Sequence, residues 1–289
     1  MNLRSELRAV VSARGPARVV TVLLPFAFSV IFPLLAQPLP QAPAGLTARE
    51  IVSRAVEQAK WARERGYEDR LQGEHISVRE DLTDDKGVRY REEILYRVYP
   101  VDGHLYYERM AVNGEPLSED ERRQRKEDFS KEIAEQEAKG EEEDDGEIKF
   151  DEELISRYDS ELAREVVIGG RDAYLIEFEP KTGKLPVRRR IDHALNNSRG
   201  RIWIDKQDYG VARVQFELIK PVTLWAGLLG KVGAVEGDFQ QVRLADGVWV
   251  PENLRLYMKG RVLFKSFHQR RTLQWQSLQL APAELALTR

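Results

Sequence analysis

Gly200-Arg201-Ile202-Trp203-Ile204-Asp205 is followed by Lys206-Gln207-Asp208-Tyr209-Gly210, and then by Val211-Ala212-Arg213-Val214-Gln215-Phe216-Glu217-Leu218. Side chains alternate along a strand with a period of two. Ile202 and Ile204 therefore share one face, with Arg201, Trp203 and Asp205 on the other. Gln207 to Gly210 is turn chemistry. In the returning run Ala212, Val214, Phe216 and Leu218 lie opposite Arg213, Gln215 and Glu217. Two such runs joined by a tight turn form a hairpin of an antiparallel sheet with one apolar and one charged face. Asp238–Leu244, Val248–Met258 and Arg261–Trp275 continue the meander, with Asp246-Gly247 as the turn between the first two.

The pattern G-x-I-W-I-D, a short turn and a strand returning with alternating charges resembles the LolA/LolB family of bacterial outer-membrane lipoprotein-sorting proteins and their relatives. The resemblance covers Thr47 to Trp275 in the order of elements and Gly200 to Pro251 in motif. It implies an α+β fold: a curved antiparallel half-barrel whose concave face is covered by helices and encloses an apolar cavity. The strand signals sum to about ten or eleven. The resemblance also implies a periplasmic, non-enzymatic binder or carrier of lipid acyl chains or lipoproteins. A regulatory module that binds an envelope protein partner is the alternative on the same fold.

On this reading Val214, Phe216, Leu218, Leu254 and Leu256 line the cavity. Between two strands lies Pro221-Val222-Thr223-Leu224-Trp225-Ala226-Gly227-Leu228-Leu229-Gly230, apolar where a solvated hairpin tip should be polar. Such a segment either folds back over the apolar face or protrudes to touch membrane or cargo. We read Leu224, Trp225, Leu228 and Leu229 as a lid and as ligand contacts.

The chain has 289 residues, a formal net charge of −3, 42% hydrophobic and 32% charged residues, and no Cys. Without Cys there are no disulfides, thiolate nucleophiles or Cys-ligated metals. Arg4, Arg8, Arg14 and Arg18 precede an apolar run from Val19 to Leu35, and Leu34-Leu35-Ala36 offers a cleavage position. We expect residues 1–36 to be a signal peptide, 37–46 a Pro-rich tether and 47–280 a single domain, exported to the periplasm. Membrane contact is then transient at most.

Thr47-Ala48-Arg49-Glu50 is a capping box, and Val52, Val56 and Ala59 behind it give an apolar stripe. These predict a helix over Ala48 to Glu64. Tyr67–Glu80 and Val88–Tyr99 read as a hairpin, with His104–Val112 as the next strand. On the second strand Val88, Tyr90, Ile94, Tyr96 and Val98 share a face. Leu162–Ile168 and Ala173–Glu179 form a further hairpin. Pro180 to Gly200 is an irregular excursion with Arg188-Arg189-Arg190 and a short helix over Arg190 to Leu195.

A charged insert occupies about 115–160. Residues 115–153 hold eighteen acidic and seven basic side chains. Ser118-Glu119-Asp120-Glu121 caps a helix to Lys139 whose only sizeable apolar side chains are Phe129 and Ile133. Such a helix is solvated and leans on the sheet through those two residues. The insert also offers a surface to a protein partner. Glu141 to Glu152 matches a calcium-loop template at Gly146 and Glu152 but fails at Glu141, Glu143 and Lys149, so a solvated acidic loop is the better reading.

His75, His104, His193 and His268 stand singly, without metal-ligand spacing, and no nucleophile elbow, phosphate loop or dinucleotide fingerprint occurs. We expect no catalytic residues, no metal and no cofactor. Asp192-His193 reads as a surface pair. Basic residues interleave with acids, which disfavours nucleic acid.

Overall fold

A computed structural model of the chain describes residues 45–101, 103–139, 148–224, 230–262 and 265–282. The expected signal peptide and most of the expected tether lie outside the described residues. So do 225–229, which include Trp225, Leu228 and Leu229, and most of the calcium-like loop.

The described chain forms one open, curved antiparallel sheet of twelve strands. They are β1 Leu71–Leu82, β2 Val88–Val101, β3 His104–Val112, β4 Glu115–Pro116, β5 Tyr158–Ile168 and β6 Arg171–Pro180. β7 Ser198–Asp205, β8 Val211–Leu218, β9 Val222–Leu224, β10 Gly230–Arg243, β11 Trp249–Val262 and β12 Lys265–Leu280 follow. The spatial order is β4-β3-β2-β1-β12-β11-β10-β8-β7-β6-β5, with β9 pairing β10 beside the end of β8. The meander of β7, β8, β10, β11 and β12 is as read from the sequence. β1 closes onto β12, so residues from both ends of the domain share the centre of the sheet.

Helix α1, Ala48–Glu64, starts at the predicted capping box: the Thr47 N–H donates to Glu50 at 2.7 Å and the Glu50 N–H to Thr47 Oγ1 at 3.3 Å. Ile51, Val52 and Ala55 of α1 pack on Ile176, Ile202 and Ile204, so the Ile-x-Ile of the opening motif is the floor under α1. Farther along α1, Trp61 joins a second cluster around Leu71, Val248 and Val250. The face that α1 covers is the inner face of the sheet. Short helix α3, Glu152–Ser156, adds Ile155 to the same core.

The Asp of the motif fixes the β7–β8 turn. Asp205, 1% exposed, receives Arg171 at 2.6 and 2.9 Å and the N–H groups of Gln207 and Asp208 at 2.8 and 3.1 Å. Asp208 in turn accepts Trp249 Nε1 at 2.9 Å, which lays the indole over Gly210, where a Cβ would meet Nε1 at 1.8 Å. The turn therefore reaches across to the start of β11.

Helix α2, Glu119–Lys139, sits on the opposite face. Phe129 packs on Tyr106 at 5.0 Å between ring centroids, and Arg122 donates to Glu108 at 3.2 Å. Tyr106 pairs with Tyr99, one position out of phase with Val98 and Tyr107 of the inner face. α1 and α3 thus meet the expectation of helices on the inner face, whereas α2 lies outside it. Phe150, at the end of the insert, packs against the α1 core, and Arg63 donates to its carbonyl at 3.3 Å. The dispensable part therefore stops before 148. Deleting 119–147 with a short bridge is expected to cost at most about 1–2 kcal/mol, the value of one partly buried Phe. Loss of a single cooperative melting transition would place α2 in the core instead.

The excursion after β6 is held by charges that the sequence reading put on the surface. Asp192, at the start of α4 (Asp192–Leu195), is fully buried and meets the buried Arg157 at 3.1 Å. The surface reading of Asp192 is corrected: its carboxylate accepts the Arg188 and Arg189 N–H groups at 2.7 and 2.9 Å, bonds that water would otherwise supply.

Candidate functional site: the inner face of the sheet

Register places one side chain from each of ten strands in a single row on the inner face: Leu162, Ile176, Ile202, Val214, Phe239, Leu254, Leu273, Ser77, Ile94 and Val112. Only Ser77 interrupts its apolar character. α1 covers the β5–β8 end of this row. Val98, Leu273 and Trp275 form a third buried cluster near its other end, with Leu254 against it.

The adjacent row is built differently. It runs Phe178, Gly200, Phe216, Gly237, Leu256, Arg271, Arg79 and Glu92. A Cβ on Gly237 would lie 2.2 Å from the Phe216 ring, and one on Gly200 would lie 1.9 Å from the Gln215 carbonyl and 2.7 Å from the Phe178 ring. Each phenyl therefore lies flat over a glycine of the next strand, the arrangement that lets aromatics cover glycines where a sheet bends. Gly200 opens the motif for this reason, and the result is a low apolar floor.

The expected ligand-binding residues are thus largely brought together. Val214 and Leu254 flank Phe239 in the first row, and Phe216 and Leu256 flank Gly237 in the second. These four and Leu218 are only partly buried. Leu224 pairs through its backbone with Gly230 in β9–β10. The lid assignment for Trp225, Leu228 and Leu229 falls outside the described residues. A depression of about 470 Å³ lined by Arg123, Lys126, Glu127, Ser130 and Lys131 lies on α2, away from the inner face.

The floor changes character on β12, β1 and β2. Arg271 and Arg79 face each other in register and both are substantially buried: Arg271 is 8% exposed and the Arg79 side chain 17%. Arg79 makes long ion pairs, 3.9 Å to Glu92 and 4.0 Å to Asp81, and its guanidinium lies 5.4 Å from the Tyr90 ring centre. Gln269 donates to Asp81 at 2.9 Å.

One inner-face pair farther along the same strands, beyond Ser77 and Leu273, His75 stands opposite Trp275, with ring centroids 4.9 Å apart. Tyr96 and Tyr107 close around the imidazole at 5.0 and 5.7 Å. His75 is 1% exposed, and among the described residues neither ring nitrogen has a hydrogen-bond partner; Trp275 Nε1 has none there either. The sequence reading missed this group because His75 stands alone. The usable signal was the alternation His75, Ser77, Arg79, which puts polar side chains on the face that β2 marks as apolar.

Burial pushes the His75 imidazole down to about 4. The folded state thus keeps it neutral where the unfolded chain, with a His pKa near 6.5, would bind a proton. Stability is full above about pH 6.5 and is lost as pH falls toward 4, by up to about 3 kcal/mol. The expected measurement is a melting temperature that drops across this window and a His75→Phe variant that flattens the drop. An unchanged profile in the variant would refute it.

Among the described residues no cluster of three or more His, Cys, Asp or Glu side chains could hold a metal ion. Glu152 begins α3 and is exposed, while Asp151 caps that helix by accepting the Leu154 N–H at 2.8 Å.

No family model matches the chain. No curated protein matches it either. Similar solved structures include a LolA superfamily protein from Nitrosomonas europaea, 11% identical, covering 82% of this chain and 95% of its own, with a TM-score of 0.32. A putative outer membrane lipoprotein-sorting protein domain from Vibrio parahaemolyticus is 12% identical, covering 79% and 93%, with a TM-score of 0.30. The Pseudomonas aeruginosa MucA/MucB complex is 10% identical over 78% and 99%, with a TM-score of 0.22. The family resembled by Gly200 to Asp205 is thus also represented among the structural neighbours.

Proposed function

We propose that the protein is an exported, non-enzymatic binder or carrier of a hydrophobic ligand, held on the inner face of the sheet. One observation carries this reading: an apolar row crosses ten strands, and among the described residues the helix α1 core covers only its β5–β8 end. Phe216, Leu218, Leu254 and Leu256 stay partly exposed to whatever occupies the face. Burying a side chain of this size is worth about 1.5–3 kcal/mol, so an acyl chain laid along the floor gains free energy at each.

The lid assigned to Leu224, Trp225, Leu228 and Leu229 belongs to the same proposal. β9 supports it by extending the sheet beyond β8 and bringing Leu224 beside Gly230 at the edge of the floor.

A second reading is a protein-partner-binding module of the envelope. The placement of α2 favours it, because that charged helix stands on the outer face and leaves most of its length exposed.

Mass spectrometry of organic extracts from the protein isolated from its own envelope separates the two. Stoichiometric lipid supports the carrier. An empty protein that also fails to bind any alkyl probe would leave the partner-binding module.

A further inference from the structure

We propose that the inner face over β1 and β12 recognises the headgroup of a glycerophospholipid, with its acyl chains on the apolar floor beside it. This rests on the hydrophobe-binding reading above and names its ligand.

Two donor groups stand on the inner face of this strand pair. Arg79 and Arg271 are direct cross-strand partners. Like charges placed opposite each other destabilise a sheet unless something between them is negative. Glu92 and Asp81 stand 3.9 and 4.0 Å from Arg79, at the limit of an ion pair, and the Arg79 Nε–H is buried with no hydrogen-bond acceptor among the described residues. The second group is His75 and Trp275, also direct partners, whose three ring nitrogens are buried and, among the described residues, unpartnered. Buried polar atoms without partners are uncommon in native proteins, and each calls for an acceptor or donor to complete it.

The two groups differ in charge. The arginines are cationic. His75 is held neutral by burial and Trp275 Nε1 is a neutral donor. They are separated by a single pair, Ser77 and Leu273, so Arg79 and His75 lie four residues apart on β1, roughly 13 Å along the strand. A fatty acid has one polar end and would leave one group unmet. A glycerophospholipid carries an anionic phosphate and, a few bonds away, neutral ester carbonyls at the start of its acyl chains. Phosphate suits the arginines, where guanidinium donors match its oxygens. An ester carbonyl suits Trp275 and His75. The chains then continue onto Leu254 and Leu273, which pack around Trp275, and toward Phe216. Tyr96 and Tyr107 cover His75, and both are partly exposed, so their rings are the ones that must turn aside.

The test uses the whole protein and three probes below their micelle concentrations: dihexanoylphosphatidylglycerol, decanoate and decanol. Binding is read by isothermal titration and by Trp fluorescence. The phospholipid is expected to bind best and decanol least. Arg79→Gln should weaken the phospholipid and decanoate by roughly tenfold or more, the value of a lost charged hydrogen bond, and leave decanol unchanged. His75→Phe keeps the aromatic volume and should weaken the phospholipid alone. If Arg79→Gln fails to fold, Arg79→Lys replaces it, with the same ordering of effects.

If all three probes bind equally and neither substitution matters, the headgroup site is refuted while the hydrophobe-binding reading stands. If no probe binds, the hydrophobe-binding reading falls, and this one with it. Equal loss of all three probes in His75→Phe would assign that residue to the floor and overturn its role here.

Discussion

Asp192→Ala is expected to cost about 3–5 kcal/mol, because it strips the counter-charge from a buried guanidinium. Arg157 is 1% exposed, and its remaining contacts are the Pro186 carbonyl at 2.9 Å, Asn196 Oδ1 at 2.8 Å and Glu153 at 3.1 Å. Glu153 is 45% exposed and so offsets little of the charge. The two backbone N–H groups of Arg188 and Arg189 would lose their acceptor as well. A double change, Arg157→Met with Asp192→Leu, should cost less than Asp192→Ala alone, since it removes both charges together. Burial pushes the Asp192 carboxyl up, but the N–H groups of Arg189 and Arg188 and the charge of Arg157 outweigh it and hold the pKa below the usual range. Its contribution is therefore present above the unfolded carboxylate pKa near 3.9 and is lost as pH falls below that through the lower folded value. Urea unfolding at neutral pH measures the effect. A loss under 1 kcal/mol would mean that the excursion is held elsewhere.

What the sequence disclosed follows from how local each signal is. The β7–β8 hairpin was readable because Ile202, Ile204, Val214 and Phe216 alternate cleanly and Gln207 to Gly210 is turn chemistry. α1 was readable because cap and stripe coincide. β10 was read only from Asp238, although it begins at Gly230. Its first half, Gly-Lys-Val-Gly-Ala-Val-Glu-Gly, resembles a loop, and the reason Gly237 belongs there is the Phe216 ring one strand away. That reason is invisible before pairing is known. β9 escaped for the same cause, since three residues have no periodicity. Asp192 read as exposed because its partner, Arg157, is thirty-five positions earlier in the chain and across an irregular excursion. The apolar half of the candidate site followed from alternation. The polar half did not, because Arg79, Arg271, His75 and Trp275 meet only through the β1–β12 pairing, which joins opposite ends of the domain.

Leu254→Asp is expected to abolish binding of an alkyl probe, for a reason that also bounds its effect on folding. Leu254 lies between Phe239 and Leu273 in register and packs against the Val98–Leu273–Trp275 cluster. A carboxylate there either stays charged beside these apolar neighbours or binds a proton, and each outcome costs free energy, of order 2–4 kcal/mol. Because the site is partly exposed rather than sealed, part of that cost is relieved by water, and the fold should survive with a lowered melting temperature. A bound chain excludes that water, so the cost returns in full on binding. Phe216→Ala separates the two effects. It uncovers Gly237 and removes a broad flat contact from the floor while adding no charge, so binding should weaken with a smaller loss of stability. Val167→Asp is the control, since Val167 is 69% exposed on edge strand β5 and should change neither quantity. If Phe216→Ala and Leu254→Asp bind the probe as the parent does, the chain lies elsewhere and the inner face is simply an incompletely covered core. If both lose binding while Val167→Asp does not, the floor from Phe216 to Leu254 is where the ligand rests.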